Sequence, residues 1–260
     1  MKGVILAGGL GSRLSPLTRV ANKHLLPVWD QPMIHYPIEN LLKSGIKEIV
    51  IVSNDADGFY RVLSDNSYGC KLTFAWQKGE GGIADALKSA RDFVGDDNCC
   101  VMLGDNIYQY SCATAVRSFQ EFMQYSKCDN GALIVTKQAN KLEDLTRFGC
   151  VVSPHGGKIE KLVEKPHSEE CEGWAESGSD ASIITGCYCY TPDVFEICDK
   201  LKPSHRGELE ITDVNQQYLD RGCLEEIQID GWWQDAGTFE SLYQAATLVR
   251  QHGANNDEPE

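Results

Sequence analysis

The chain has 260 residues, is 42% hydrophobic and 24% charged, and carries a formal net charge of −14. That is enough apolar material for a sizeable core, in one large α/β domain or two small ones. The acidic balance argues against non-specific nucleic-acid binding and against docking on anionic membrane, and no apolar run reaches the roughly 18 residues of a membrane span.

Residues 1–7, MKGVILA, are short, apolar and bounded by glycine, which fits a buried strand or a piece of buried helix. The N-terminus runs straight into this segment without the regions of a secretory signal, so the chain reads as cytoplasmic. Gly8-Gly9-Leu10-Gly11-Ser12-Arg13 follows. A glycine-rich turn at the end of a first strand is where an α/β sheet binds phosphorylated ligands. Glycines let the backbone approach phosphate oxygens and aim N–H groups at them. Arg13 adds a planar fork for oxygen anions, and Lys23 a compact second charge. A dinucleotide fingerprint fails because Leu14 stands where its third glycine belongs, and no Walker loop occurs. A strand-to-helix turn without a ligand is the plainer alternative; arginine and lysine so close to the glycines favour an anion site.

Residues 33–44 carry apolar side chains at helical spacing and stop at Gly45, and 46–52 read as a second strand. A short helix around 59–64 and a strand at 71–76 continue the alternation, which implies βαβ units and a mostly parallel sheet. Gly81-Gly82 precede a helix at 83–94, and Gln77, just past a strand end, offers the donor and acceptor needed to read a base edge. A double glycine is equally an ordinary turn. The apolar strand 99–103 ends at Gly104-Asp105-Asn106. Asp105 there is placed to hold Mg²⁺ with phosphate oxygens, or simply to cap a turn.

Residues 112–126 read as a helix and 131–136 as a strand, after which the alternation breaks. Segments 148–152 and 158–163 read as antiparallel strands around a turn at His155-Gly156-Gly157. Glu164-Lys165 has the look of a solvated surface pair. Residues 167–180, polar, acidic and glycine-bearing, are expected to be a mobile loop. A strand at 182–190, a helix to about 201, a charged turn at 206–213 and a strand at 224–229 follow. Trp232-Trp233-Gln234-Asp235-Ala236-Gly237-Thr238 leads into a closing helix at 239–251, and the polar tail 252–260 is expected to be disordered. Eleven cysteines are scattered through apolar runs without a C-x-x-C, which argues against zinc and against a disulfide framework. His35, within an apolar helical pattern, reads as structural.

These stretches together resemble the signature of the sugar-phosphate nucleotidyltransferases. The family loop reads G-G-x-G-[ST]-R-L, then a proline, then K-x-L-L-P; residues 8–14, Pro16 and Lys23-His24-Leu25-Leu26-Pro27 fill it. The L-G-D-N run at 103–106, Glu164-Lys165-Pro166, Thr185-Gly186 and the W-x-D-[AT]-G-T run at 233–238 match in turn. Residues 206–213 match, residue for residue, the R-G-E-L-E-I-T-D run of the branch acting on glucose-1-phosphate and dTTP, and the likeness is closest to its short form.

The resemblance implies one nucleotidyltransferase domain over residues 1–251: a three-layer, Rossmann-like α/β fold with a mostly parallel sheet flanked by helices and an antiparallel sugar-binding insertion. It implies that Leu6, Ala7, Gly8, Gly9, Gly11, Ser12, Arg13, Gln77, Gly82 and Asp105 meet the nucleotide. Asn106, Phe148, Gly149, Glu164, Lys165 and Thr185 would meet the sugar phosphate, and Asp105 and Asp235 would hold Mg²⁺. Arg13, Lys23, Asp105 and Lys165 would be catalytic, in an attack by the sugar-1-phosphate on the α-phosphorus of dTTP that releases pyrophosphate. The chain departs from common family residues at His24 and Asp85, where relatives carry glutamine, and at Phe148, where some carry tyrosine. UTP, another sugar-1-phosphate, and a non-catalytic nucleotide-sugar sensor are the alternatives. Family members are commonly dimers or tetramers, so a homo-oligomer is expected.

Overall fold

Along the first strand, Val4 and Leu6 point into one hydrophobic cluster while Ile5 and Ala7 point into another. Both faces of that strand are therefore buried, as a central strand covered by helices on two sides requires. The computed structural model describes residues 1–65, 68–77, 79–139, 141–154 and 157–257.

In chain order, the first half comprises β1 (Lys2–Leu6), the small β2 (Pro27–Val28) and β3 (Gln31–Pro32), α1 (His35–Lys43), β4 (Glu48–Ser53), α2 (Ala56–Leu63), β5 (Lys71–Trp76), α3 (Ile83–Lys88), α4 (Arg91–Val94), β6 (Cys99–Leu103), β7 (Asn106–Tyr108) and α5 (Ala113–Tyr125). The second half comprises β8 (Ala132–Gln138), α6 (Leu142–Leu145), β9 (Gly149–Pro154), β10 (Lys161–Glu164), α7 (Ser168–Ser177), β11 (Ser179–Tyr190), α8 (Val194–Lys200), α9 (Ile211–Asp220), β12 (Leu224–Gln228), β13 (Trp233–Asp235) and α10 (Phe239–His252).

The main sheet runs β10-β9-β11-β6-β1-β4-β5, with β8 on β11 and β12 on β8. Strands β6, β1, β4 and β5 are parallel, the product of the βαβ alternation. From β11 onward the pairing to β6, β8 and β9 is antiparallel. The long β11 serves both halves: Ser179–Ile183 pair with β9, and Cys187–Tyr190 pair with β6. Its register on β8 shifts between Ile184 and Tyr188, at Gly186 (φ 84°). The bulge bends the strand from the insertion into the parallel sheet.

Helices α3, α8 and α9 cover one face and α1, α2 and α5 the other. Each fully buried aliphatic or aromatic side chain in these layers stabilises the fold by about 1.5–3 kcal/mol. The closing helix α10 packs Ala245 and Val249 against Val28, Met33 and Tyr36, which presses β13 onto β7.

Four expectations are corrected. The helix at 83–94 is two helices, because Ser89 and Ala90 bond to the carbonyls three residues back and tighten the chain between them. The segment at 167–180 is not a mobile loop: α7 buries Cys171 and Trp174, three apart on one face, and stops at Gly178 (φ 73°). Cys128 and Cys223 form a disulfide across 95 residues of chain. Within the expected tail, Asn255 is buried, receives a bond from Asn40 Nδ2 (2.8 Å) and donates to Tyr36 O (2.9 Å), so this part is ordered, while residues 258–260 lie outside the described residues. Strands β9 and β10 are antiparallel as expected, while His155 and Gly156 of their turn lie outside the described residues. Among the described residues no helix is long and apolar enough to cross a membrane.

Candidate active site

A cleft of about 740 Å³ opens over the carboxyl ends of β1 and β6. One wall is the glycine loop. Gly8, Gly9, Ser12 and Arg13 line it, and Gly8 lies so close to the Gln77 amide that a Cβ there would overlap it. Arg13 reaches across to Gly237, where an added Cβ would stand 2.9 Å from its Nη2. The next wall is the segment after β5. Gly82 (φ 96°) starts α3, and a side chain there would strike Leu209 O at 2.6 Å. Gln77 is buried, its Nε2 donates to Gly79 O (3.3 Å), and its Oε1 has no partner among the described residues. The oxygen lies against Gly8, and a buried carbonyl oxygen without a donor is costly unless a small turn of the amide lets a ligand supply one.

At the floor, Lys23 Nζ lies 2.5 Å from Asp105 Oδ2. Asp105 Oδ1 accepts from Asn106 Nδ2 (3.0 Å), and Asn106 Oδ1 accepts from Trp233 Nε1 (2.9 Å). The indole thereby fixes which way the amide faces. Burial opposes ionisation of Asp105, but the Lys23 charge and its hydrogen bond outweigh this and hold the carboxyl at about 2. Asp235 stands opposite Asn106 in the β13–β7 ladder, and its Oδ1 accepts from Gly237 N (2.6 Å). Burial first, and the Asp105 charge second, raise the Asp235 carboxyl above its ordinary range. Two buried carboxylates that repel one another make a hard-oxygen site suited to a divalent cation. No group of three or more His, Cys, Asp or Glu ligands gathers among the described residues, so such an ion would draw its other oxygens from bound phosphate or water.

His24 is also buried here. Its Nδ1 donates to Asn22 Oδ1 (2.8 Å), the same oxygen that takes the His24 backbone N–H. Burial, then the Lys23 charge, pushes the imidazole down to about 3, so it is neutral.

The far wall comes from the antiparallel insertion and α9. Glu164 Oε2 accepts from Thr212 Oγ1 (2.5 Å), and Glu164 Oε1 pairs with Arg206 Nη1 (3.4 Å) and Lys165 Nζ (3.7 Å). Gly149 leaves room for this contact, since a Cβ would sit 2.7 Å from Thr212 Oγ1. Phe148 packs edge-on against Trp233 at 5.1 Å.

Of the residues expected from the sequence, Leu6, Gly8, Gly9, Ser12, Arg13, Lys23, Gln77, Gly82, Asp105, Phe148, Gly149, Glu164, Lys165 and Asp235 line this one cleft. Ala7, Gly11, Asn106 and Thr185 lie behind its surface. Ala7 is wholly buried, Gly11 O accepts from Thr18, Asn106 spends its amide on Asp105 and Trp233, and Thr185 Oγ1 donates to Val135 O (2.9 Å). Asp85 is outside the cleft, paired with Lys88 at 2.7 Å. The cleft also draws in Glu80, Arg147, Tyr188, Arg206 and Thr212. Arg206 and Thr212 were legible only through their motif, since a charged turn has no pattern of its own that points inward.

A family model for nucleotidyl transferases matches residues 2–252. The chain belongs to the nucleotidyl transferase family. A glucose-1-phosphate thymidylyltransferase from Neisseria meningitidis is 40% identical to this nucleotidyl transferase over 256 residues, 96% of this chain and 83% of the relative. One from Mycobacterium tuberculosis is 38% identical, again over 96% of this chain and 82% of its own length. A solved structure described as glucose-1-phosphate thymidylyltransferase from Bacillus anthracis, in complex with sucrose, matches at a TM-score of 0.81 and 40% identity over 96% of both chains. A UDP-glucose pyrophosphorylase complexed with UDP-glucose shares the fold at a TM-score of 0.78 and 23% identity, over 96% of this chain and 98% of that one.

Proposed function

We propose that this nucleotidyl transferase moves a thymidylyl group from dTTP to glucose-1-phosphate, giving dTDP-glucose and pyrophosphate. The observation that carries the reading is the unpartnered Oε1 of buried Gln77. Thymine presents an N3–H donor to such an acceptor, whereas cytosine and adenine present a lone pair at the corresponding ring nitrogen. In the structure Nε2 donates to Gly79 and the oxygen lies against Gly8, so on nucleotide binding the amide swings off Gly8 to meet the base. The relatives named as glucose-1-phosphate thymidylyltransferases support the choice of base and sugar.

A phosphate oxygen of the sugar-1-phosphate attacks the α-phosphorus; the new P–O bond forms as the bond to the β-phosphate oxygen breaks and pyrophosphate leaves. The nucleophile is already an anion, so the protein supplies position and charge rather than a base. Lys165 holds the attacking phosphate, with Arg206 beside it on Glu164. Lys23 turns from Asp105 to the α-phosphate oxygens. Arg13 and the backbone of the glycine loop take the charge of the departing pyrophosphate. Asp105 and Asp235 fit Mg²⁺, which when bound supplies charge neutralisation between the two phosphates. The protein acts in the cytoplasm as a homo-oligomer, with no nucleic-acid or membrane partner.

Uridylyl transfer from UTP is the second reading, because uracil carries the same N3–H and Asp85 is turned away from the cleft. Pyrophosphate release with glucose-1-phosphate and Mg²⁺ across dTTP, UTP, CTP, GTP and ATP tests both. Release with dTTP above UTP supports the first and release with UTP alone the second, while CTP or ATP as the best substrate contradicts the role given to Gln77.

A further inference from the structure

Glu80 is an acid of the cleft wall whose charge works against a polyanionic ligand, and among the described residues it pairs with no cation; Asp235 also lacks an ion pair, but it stands beside Asp105 in the expected metal site. The ion pairs of the cleft are Lys23 with Asp105, Lys165 with Glu164, and Arg206 with Glu164, Glu208 and Glu210; Glu80 takes part in none of them. Its described partner is a backbone amide: Oε1 accepts from Leu10 N at 3.2 Å. Leu10 is the tip of the glycine loop, between Gly9 (φ 94°) and Gly11 (φ 59°). Alternating backbone handedness of this kind turns neighbouring N–H groups toward a common point and makes an anion-binding concavity. In this structure a carboxylate thus rests on a donor of the loop expected to face phosphate.

We propose that Glu80 is a stand-in for the triphosphate. Its carboxylate satisfies the Leu10 amide while the cleft is empty, yields it to phosphate oxygens when the nucleotide enters, and reclaims it as pyrophosphate leaves. This rests on the reading that the cleft takes a nucleoside triphosphate. Glu80 is then an affinity-tuning residue: it weakens every polyphosphate alike and leaves the base and the sugar phosphate untouched. It sits between Gly79 and Gly81, within the same short segment that carries Gln77, so base recognition and this competition act side by side.

The test titrates dTTP and inorganic tripolyphosphate, each with Mg²⁺, into the wild type, Glu80→Gln and Glu80→Ala by calorimetry, and measures KM for both substrates. Both variants are expected to bind both polyphosphates about two- to fivefold more tightly at low salt, the scale of one partly exposed like-charge contact. The gain should fade as salt rises to about 500 mM and screening shortens, whereas a packing role would not respond to salt. KM for the sugar phosphate should not move with them. Unchanged or weaker binding in either variant, or a gain that persists at high salt, overturns the proposal. Tripolyphosphate binding that shifts as expected in a protein that transfers from no nucleoside triphosphate overturns the functional reading and leaves the stand-in intact. Binding of neither ligand by the wild type overturns both.

Discussion

Lys23 Nζ and Asp105 Oδ2, 82 residues apart in sequence, meet at 2.5 Å on the floor of the cleft. Asp105 is buried and Lys23 mostly so, and the carboxylate depends on the ammonium for its charge. Replacing Lys23 with Met leaves a buried carboxylate unpaired, a loss on the order of 3–5 kcal/mol, and removes a donor from the α-phosphate. Turnover is expected to fall by about 10²-fold or more. The stability loss has a defined pH dependence. Asp105, held at about 2, contributes stability above the ordinary carboxylate range that is lost as pH falls through 2. The difference in unfolding free energy between wild type and Lys23→Met should therefore shrink as pH falls from 4 toward 2. A difference constant over that range contradicts the pairing.

Trp233 reaches Asp105 through Asn106. Its indole N–H donates both to Asn106 Oδ1 (2.9 Å) and to Thr185 O (3.0 Å). Trp233→Phe keeps an aromatic ring against Phe148 and removes only the donor. The amide of Asn106 is then free to turn its oxygen toward the carboxylate. Loss of such a support typically costs 10- to 100-fold in metal affinity or activity. The Mg²⁺ concentration for half-maximal activity should rise by roughly that factor; an unchanged Mg²⁺ dependence would show that Asn106 needs no such support.

His24 is buried neutral. Its pKa of about 3 lies below the unfolded value of 6.5, so the unfolded chain takes up a proton first as pH falls. Its contribution to stability is whole above 6.5 and declines toward pH 3. At pH 5 the decline is roughly 2 kcal/mol. His24→Gln has no proton to gain, so urea unfolding from pH 7.5 to pH 5 should weaken the wild type more than the variant. Parallel losses would contradict a buried neutral imidazole.

Much of the fold could be read in advance because its signals are local. The apolar run of β1, the spacing in α1 and the glycine stops mark elements by period and punctuation. The site was legible where chemistry concentrates in one stretch, as from Gly8 to Lys23. It was not legible where a role depends on partners far away. Asn106 looks like a sugar ligand in its motif, and only the arrival of Trp233 shows its amide already in use. Asn255 lies in a polar tail, and nothing nearby in sequence says that Asn40 and Tyr36 receive it. Helix α7 was obscured by its acids, though Cys171, Trp174 and Gly178 carried a helical face and a stop.

The Cys128–Cys223 link is the clearest case of a long-range contact without a sequence signal. It joins the turn after α5 to the start of β12, the strand that leads toward Asp235. Closing a loop of 95 residues stabilises a fold by about 4–5 kcal/mol in the chain-entropy model. The unfolded, unreduced protein should show nine free thiols per chain, the nine buried cysteines, and eleven after reduction. Reductant should lower the Tm of the wild type and leave that of Cys223→Ser unchanged. Eleven thiols before reduction would contradict the link.

The most direct test of the account follows the phosphorus atoms. dTTP labelled at either the α- or the γ-phosphate is incubated with glucose-1-phosphate and Mg²⁺, and the products are separated. Transfer at the α-phosphorus predicts that the α label appears in dTDP-glucose and the γ label in pyrophosphate, with neither moving when the sugar phosphate is withheld. A γ label in the sugar product, or an α label released as free dTMP or dTDP, would contradict it.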